Sequence, residues 1–158
     1  MSAATAVASA KANLVTALAT RWSAEPVAVT YGATVDEPDE LVQILDTAFT
    51  ATNKAPMSPL RRRDYIFTIA GEISVSYGGG QEIQQEVTER ALWYLGEVSD
   101  YLQDAGVSPS TQINLGGAVQ WARVTDAVIH EADGLNDDDI TGGRTTTIAF
   151  AITGLIRA

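Results

Sequence analysis

The sequence predicts an α+β fold: a mostly antiparallel, twisted sheet with two helices packed on one face, and long, arm-like strands. Three observations lead to this prediction. Two segments place apolar residues at helical spacing, one near the start of the chain and one in its middle. Residues 64–77 alternate apolar and polar side chains, and residues 144–157 do so again. With 158 residues and no linker or repeat, residues 1–158 are expected to form one domain.

The first predicted helix covers residues 3–22, which contain neither Gly nor Pro and are rich in Ala and Leu. Its apolar positions at helical spacing are Val7, Leu14, Leu18 and Trp22. Most of the other residues on the apolar side of this helix are alanines, so the helix can approach a flat sheet closely. The helix should end before Pro26.

Two strands are predicted next, at residues 27–31 (VAVTY) and 41–52, with a polar loop at 32–40 between them. The segment 41–52 has an apolar pattern that also fits a helix. Its β-branched and aromatic residues, which follow a Pro-Asp turn, favour a strand. Residues 53–63 contain two prolines and are expected to form a loop.

The clearest strand is residues 64–77, in which apolar side chains occupy one parity and Thr, Glu and Ser the other. A strand of that length would extend about 45 Å, at about 3.3 Å per residue. Because strands usually have about 3–10 residues, this one should bend, bulge near Gly71, or project beyond the domain body.

A glycine run at residues 78–80 separates this strand from the second predicted helix, residues 81–105. The run lacks the Lys-Ser/Thr ending of a phosphate-binding P-loop and the third Gly of a dinucleotide fingerprint. We therefore interpret it as a turn that needs a positive φ angle. The predicted apolar face of the helix consists of Ile83, Val87, Ala91, Tyr94, Leu95, Val98 and Leu102.

The rest of the chain is predicted to be β, with a short strand at 112–115 and longer strands at 119–129 and 144–157. The loop at 131–143 between the last two is acidic and contains glycines. Asp133 begins a stretch with the composition of a calcium loop, but Leu135 stands at the third ligand position and Asp138 where the loop glycine belongs. We interpret this segment as a solvated acidic loop.

The composition argues against several classes of function. The net charge of −10 opposes binding to phosphate backbones and therefore sequence-reading nucleic-acid recognition. The chain has no cysteine and a single histidine, His130, which we interpret as a rim residue. The sequence contains no recognisable metal or nucleophile motif, so no catalytic residue, cofactor or metal is predicted. No stretch approaches the roughly 18 apolar residues that span a bilayer, so a cytoplasmic protein is expected.

The candidate interface residues form three groups. They are Arg61, Arg62 and Arg63 before the long strand, Trp121 in a later strand, and Asp137, Asp138 and Asp139 in the acidic loop. The arginines fit a docking patch for an acidic surface or for passing DNA phosphates. They fit equally well as charged residues that flank a hydrophobic strand and oppose its aggregation. Trp is enriched at interfaces. The aspartates could face a pore or a basic partner.

The order of these elements resembles the tail terminator (tail completion) proteins of long-tailed bacteriophages. The similar segments are VAVTYG, RRRDYIFTIAGEISVSYGGG, ERALWYLGEVSDYL and GRTTTIAFAITGLIRA. The resemblance implies a structural virion protein, assembled in the host cytoplasm, that forms a homo-oligomeric ring, usually a hexamer. Such a ring caps the tail tube, stops its polymerisation and meets the head connector or head-closure protein, while DNA passes through the lumen without being read. It implies no active site and no membrane partner.

Three alternatives stay open. The chain could be another neck or head–tail joining protein, a small cytoplasmic enzyme, or a binding module. An enzyme would have to work without cysteine and with one histidine, although catalysis by carboxylates alone stays open. Oligomeric state and an effect on tube length would separate these classes.

Overall fold

The computed structural model describes residues 2–52, 63–103, 119–133 and 143–157. Within these ranges the chain forms two α-helices, a short 3₁₀ turn at Gln81–Ile83 and five strands. The helices are α1 (Ala3–Arg21) and α2 (Gln84–Gln103). The strands are β1 (Ala28–Tyr31), β2 (Glu40–Ala51), β3 (Asp64–Tyr77), β4 (Val119–Asp133) and β5 (Arg144–Arg157).

The five strands form one sheet in the order β1-β2-β3-β5-β4. Every neighbouring pair is antiparallel except β1 and β2, which are parallel. Parallel neighbours usually need a connection of about a dozen residues or more. Here the eight residues 32–39 are sufficient. The connection has to return only along the length of β1, which has four residues. The predicted α+β class with a mostly antiparallel sheet is confirmed.

Strand β3 keeps an unbroken register with β5 from Asp64 to Tyr77. The irregularity expected near Gly71 lies in its other neighbour, β2. Ile44 pairs with Gly71, whereas Thr47 pairs with Ile69, so two residues of β2 oppose one residue of β3. This is the pattern of a β-bulge, which bends the strand that carries the extra residue. The prediction was therefore right about the position along the sheet and wrong about the strand.

Both helices pack on the same face of the sheet. α1 lies against β1 and β2, and α2 lies against β3, β5 and β4. The core contains alternate residues of β3 and of β5, together with most of the predicted apolar residues of both helices. It comprises Val7, Ala10, Leu14, Leu18, Trp22, Val42, Ile44, Phe67, Ile69, Ile73, Val75, Val87, Ala91, Tyr94, Val98, Ile148, Phe150, Ile152 and Ile156, among others. Ala6 and Ala10 are buried in α1, as expected for close helix–sheet contact.

Two Phe–Gly pairs join β3 to β5 on the helix-covered face. Phe67 lies opposite Gly154, and Gly71 lies opposite Phe150. A Cβ atom placed on Gly71 would lie 2.2 Å from the ring of Phe150, and one on Gly154 would lie 2.5 Å from the ring of Phe67. Each ring therefore occupies the space that a side chain on the facing strand would need, as in aromatic rescue of glycine.

Most predicted elements agree with the structure. The turn at residues 78–80 contains Gly79 with φ +133°, as expected. The second helix begins with a 3₁₀ turn and buries Tyr101, which was not among the predicted positions. Strand β4 extends four residues beyond its predicted end at 129. The predicted short strand at 112–115 lies outside the described residues. Neither α1 nor α2 is long and apolar enough to cross a bilayer.

Candidate functional site

Strand β4 forms one outer edge of the sheet. β4 is the last strand of the sheet order, and in the part of the chain that the structure describes it pairs with β5 alone. It is 15 residues long. Val128 is 62% exposed and Ile129 is 46% exposed, and their side chains lie on opposite faces of the sheet. An exposed strand edge that carries apolar residues, and that has no partner strand among the described residues, is a template for pairing with another chain.

At the opposite edge of the sheet, the described residues also leave strand backbone without a neighbouring strand. β1 pairs with only the first part of β2, at residues 41–44. The second part of β2 is exposed, and Phe49 is 44% exposed there although it stands opposite buried Phe67. Strand β2 therefore continues past the part of the sheet that β1 and the helices cover. The expectation of a projecting strand concerned residues 64–77 and not this strand.

The structure places two of the predicted interface residues at one end of the sheet. Arg63 is exposed and directly precedes β3, whose first residue, Asp64, forms an ion pair with Arg157 at 2.9 Å. Trp121 is half-buried on β4 and stands opposite Leu155. The Arg123 guanidinium lies 5.2 Å from the centre of its ring.

The other predicted interface residues lie outside the described ranges. These are Arg61 and Arg62, and the acidic group Asp137, Asp138 and Asp139. The strand ends that flank the acidic loop are described: Asp133 pairs with Arg144, which pairs in turn with Tyr77. This is the opposite end of the sheet from Arg63.

Among the described residues, a cluster of titratable groups lies between β2, β3 and α2, around the buried carboxylate of Glu40. The Glu40 carboxylate is 2% exposed and accepts hydrogen bonds from the Tyr77 hydroxyl at 2.6 Å and from the Tyr94 hydroxyl at 2.9 Å. It also accepts one from Arg90 Nε at 2.6 Å. A terminal nitrogen of Arg90 donates to Glu25 at 2.6 Å. We call these five residues the Glu40 cluster. Glu40 lies in β2, Tyr77 in β3, and Arg90 and Tyr94 in α2. The cluster therefore links α2 to the two strands.

The cluster shifts the pKa of each of its central groups. Burial raises the pKa of Glu40, but hydrogen bonds from Arg90, Tyr77 and Tyr94 outweigh it, so the pKa lies below its usual value of 4.5. Burial, with the hydrogen bond to Glu40, raises the pKa of Tyr77 to about 12. The same two causes raise the pKa of Tyr94. Both oxygens of the Glu40 carboxylate and both tyrosine hydroxyls are hydrogen-bonded within the cluster, so these groups serve to position α2 against the strands.

These shifts predict how stability depends on pH. Because the pKa of Tyr77 is higher in the folded state, its contribution is complete below pH 10 and is lost as the pH rises from 10 to about 12. Glu40 acts oppositely, and its contribution is lost as the pH falls below 4.5. We expect the alkaline loss to be shallower in Tyr77→Phe, though not absent, because Tyr94 remains. Urea unfolding of both proteins between pH 10 and about 12 measures the two slopes; equal slopes would contradict this assignment.

Two surface cavities have mainly polar linings. One of about 380 Å³ lies on the face of the sheet without helices and includes the carboxylates Asp36, Glu37 and Glu72 in its lining. Another of about 590 Å³ lies beside the start of α2 and is lined by Gln81, Gln84, Glu131, Ala132 and Arg144. Within the described ranges, no three His, Cys, Asp or Glu side chains are grouped as metal ligands would be. His130 is exposed on β4.

No protein-family model matches the chain, and no curated protein matches it. Among solved structures, one protein aligns over 98% of this chain and 96% of its own, with 17% sequence identity and a TM-score of 0.40. A similarity of this degree gives no information about function.

Sequence reasoning missed the apolar residues of the sheet edges and the Glu40 cluster. Val128 and Ile129 have the pattern of ordinary strand residues, because the sequence does not say which strand is outermost. The polar loop predicted at 32–40 includes Glu40, which the structure places at the start of β2. A usable signal was the spacing of Arg90 and Tyr94, which stand one turn apart on the buried side of α2.

Proposed function

We propose that this protein is a structural protein of a long-tailed phage that caps the tail tube, ends its polymerisation and forms the surface that joins the head. It acts as a ring of identical subunits. The observation that supports this most is the outer edge of β4, which pairs with no further strand among the described residues and on which Val128 and Ile129 are exposed. Pairing with a neighbouring subunit would give the backbone N–H and C=O groups of such an edge hydrogen-bond partners.

The charge of the chain fits the proposed role. A ring at the end of a tail must let DNA pass without holding it. A net charge of −10 per subunit repels phosphate groups at long range, so an acidic lumen would favour passage over binding. The partners of the ring are then the tail tube protein on one face and the head connector or head-closure protein on the other.

The most direct functional test uses the cognate tail tube protein. We expect addition of this chain during polymerisation to shorten the tubes and narrow their length distribution, because capped ends cannot grow. Electron micrographs of negatively stained tubes give the lengths. Tube protein alone and tube protein with heat-unfolded chain serve as controls.

An unchanged length distribution would contradict the capping role. If the chain then bound the head connector but not the tube, it would instead be a head-closure or other neck protein. The same experiment therefore separates the two assignments within the phage neck.

A further inference from the structure

The exposed apolar residues of β4 lie in the same rows of the sheet as β1, the strand at the opposite edge. Following the pairing from strand to strand, one row consists of Ile129, Ile148, Ile73, Val42 and Val29. The neighbouring row, on the face without helices, consists of Val128, Ala149, Glu72, Gln43 and Thr30. The two edges are therefore level with each other at these rows.

The strand directions also match. β1 runs parallel to β2, and each later step across the sheet, to β3, β5 and β4, reverses direction. β4 therefore runs opposite to β1. When a second copy is placed beside the first with its sheet in the same orientation, β4 of one copy meets β1 of the next as an antiparallel pair. Antiparallel pairing is slightly more stable per residue than parallel pairing.

Both edges expose apolar side chains near these rows. Tyr31 ends β1 and is 57% exposed, and Val35 in the following loop is 97% exposed. Val128 and Ile129 are the exposed apolar residues at the other edge. Natural proteins commonly protect an edge strand with charged residues, prolines or bulges. β1 (AVTY) contains none of these. β4 has charged residues, and two register irregularities in its first half, but its segment 127–129 is uncharged and regularly paired.

We infer that the outer edge of β4 in one copy of this chain pairs, antiparallel, with the outer edge of β1 in the next copy, so that the sheet continues from subunit to subunit. The contact joins two different surfaces, so it is head-to-tail, and such contacts close into rings when the rotation allows. The inference rests on the proposed function only for ring closure; the edge pairing itself follows from the strand order and the exposed residues.

Cysteine cross-linking can test the pairing, because the chain contains no cysteine of its own. Thr30 and Val128 share a row and a face of the sheet. In directly opposed residues of an antiparallel pair, the Cβ atoms lie about 4.5–5.5 Å apart. We propose to mix two single-cysteine variants, Thr30→Cys and Val128→Cys, over a series of protein concentrations with a short bifunctional thiol reagent. Covalent dimers are measured by gel electrophoresis and mass spectrometry.

We expect covalent dimers in the mixture, each containing one copy of Thr30→Cys and one copy of Val128→Cys. Either variant alone should give far fewer dimers. A matched control replaces Thr30→Cys by Thr68→Cys, on the same face but in the interior strand β3, and should give no such product. A yield of dimer from Val128→Cys alone that equals the yield of the mixture would overturn the inference, because it would mean that β4 pairs with itself. Absence of the mixed dimer at every concentration would also overturn it.

A substitution at the edge provides a second readout. Because Val128 is 62% exposed, Val128→Lys should fold normally while its charge opposes pairing at the edge. We expect the variant to lose the mixed cross-link and to stay monomeric in sedimentation at concentrations where the unmodified chain associates. Leu92→Lys, at a 40% exposed position on α2, is the control and should associate normally. Equal association of both variants would contradict the proposed contact.

The two proposals fail in different ways. If cross-linking fails but the chain still limits tube length, the edge pairing is wrong and the capping role stands. If the mixed dimer forms but tube length is unaffected, the subunit contact is correct and the capping role is wrong.

Discussion

Replacing Arg90 by methionine should strongly destabilise the protein. The change keeps the aliphatic part of the side chain but removes the guanidinium that neutralises Glu40, whose side chain is 2% exposed. Removing one partner of a buried ion pair typically costs about 3–5 kcal/mol, because the other charge stays buried and uncompensated. We expect a loss of that size in the free energy of unfolding of Arg90→Met, measured by urea denaturation at neutral pH.

The matched control is Arg21→Met, which removes another helix arginine from an ion pair. Arg21 and Glu97 lie 2.8 Å apart, but their side chains are 31% and 23% exposed. Because water screens such a pair, the expected loss is below about 1 kcal/mol. If Arg90→Met cost no more than Arg21→Met, the Glu40 cluster would not be the tie that holds α2 to the sheet.

The second large effect is expected for Gly154→Ala. A Cβ atom at this position would lie 2.4 Å from the backbone oxygen of Trp121 and 2.5 Å from the ring of Phe67. The backbone of β4 cannot move aside without disturbing its pairing with β5. Overpacking of this kind costs about 1–3 kcal/mol. We expect thermal and urea denaturation to show a loss in that range.

The same Gly→Ala change should have the opposite effect at Gly96. This glycine lies within α2 and nothing stands within 4 Å of the position that its Cβ atom would take. Alanine there should raise the free energy of unfolding by about 0.5–1 kcal/mol, because glycine is costly in a helix interior. A destabilised Gly96→Ala, or a neutral Gly154→Ala, would contradict the packing that the structure gives these two positions.

Much of the fold could be predicted from the sequence because its patterns are strong and local. The alternation over residues 64–77 gives β3 with the bounds that the structure has. The Ala-rich stripe of the N-terminal segment gives α1 and its buried side. In both cases one face of a regular element must be apolar, and the period identifies the element.

Other features depend on which elements become neighbours, and no local pattern reports that. The parallel pairing of β1 with β2 follows from the path of the segment 32–39, and the bulge in β2 follows from its partner β3. The glycines at 71 and 154 could not be interpreted until the strand order placed Phe150 and Phe67 opposite them.

The sheet-edge residues of the candidate site could not be predicted from the sequence, for the same reason. Charged runs and a tryptophan were the visible signals, and they led to Arg63 and Trp121, both at one end of the sheet. The residues on which the inferred subunit contact depends, Val128 and Ile129, are exposed only because β4 is an edge strand. An apolar residue in a strand is usually a core residue, so its position in the sheet had to be known first.

The position of the chain on assembled tail tubes tests the central claim most directly. Ala8 is exposed on α1, so Ala8→Cys gives a single labelling site in a chain without other cysteines. Tubes grown with this variant, labelled with gold and viewed by electron microscopy, should carry label at one end only. Label along the tube length, or tubes without label beside free labelled protein, would contradict a protein that ends tail growth.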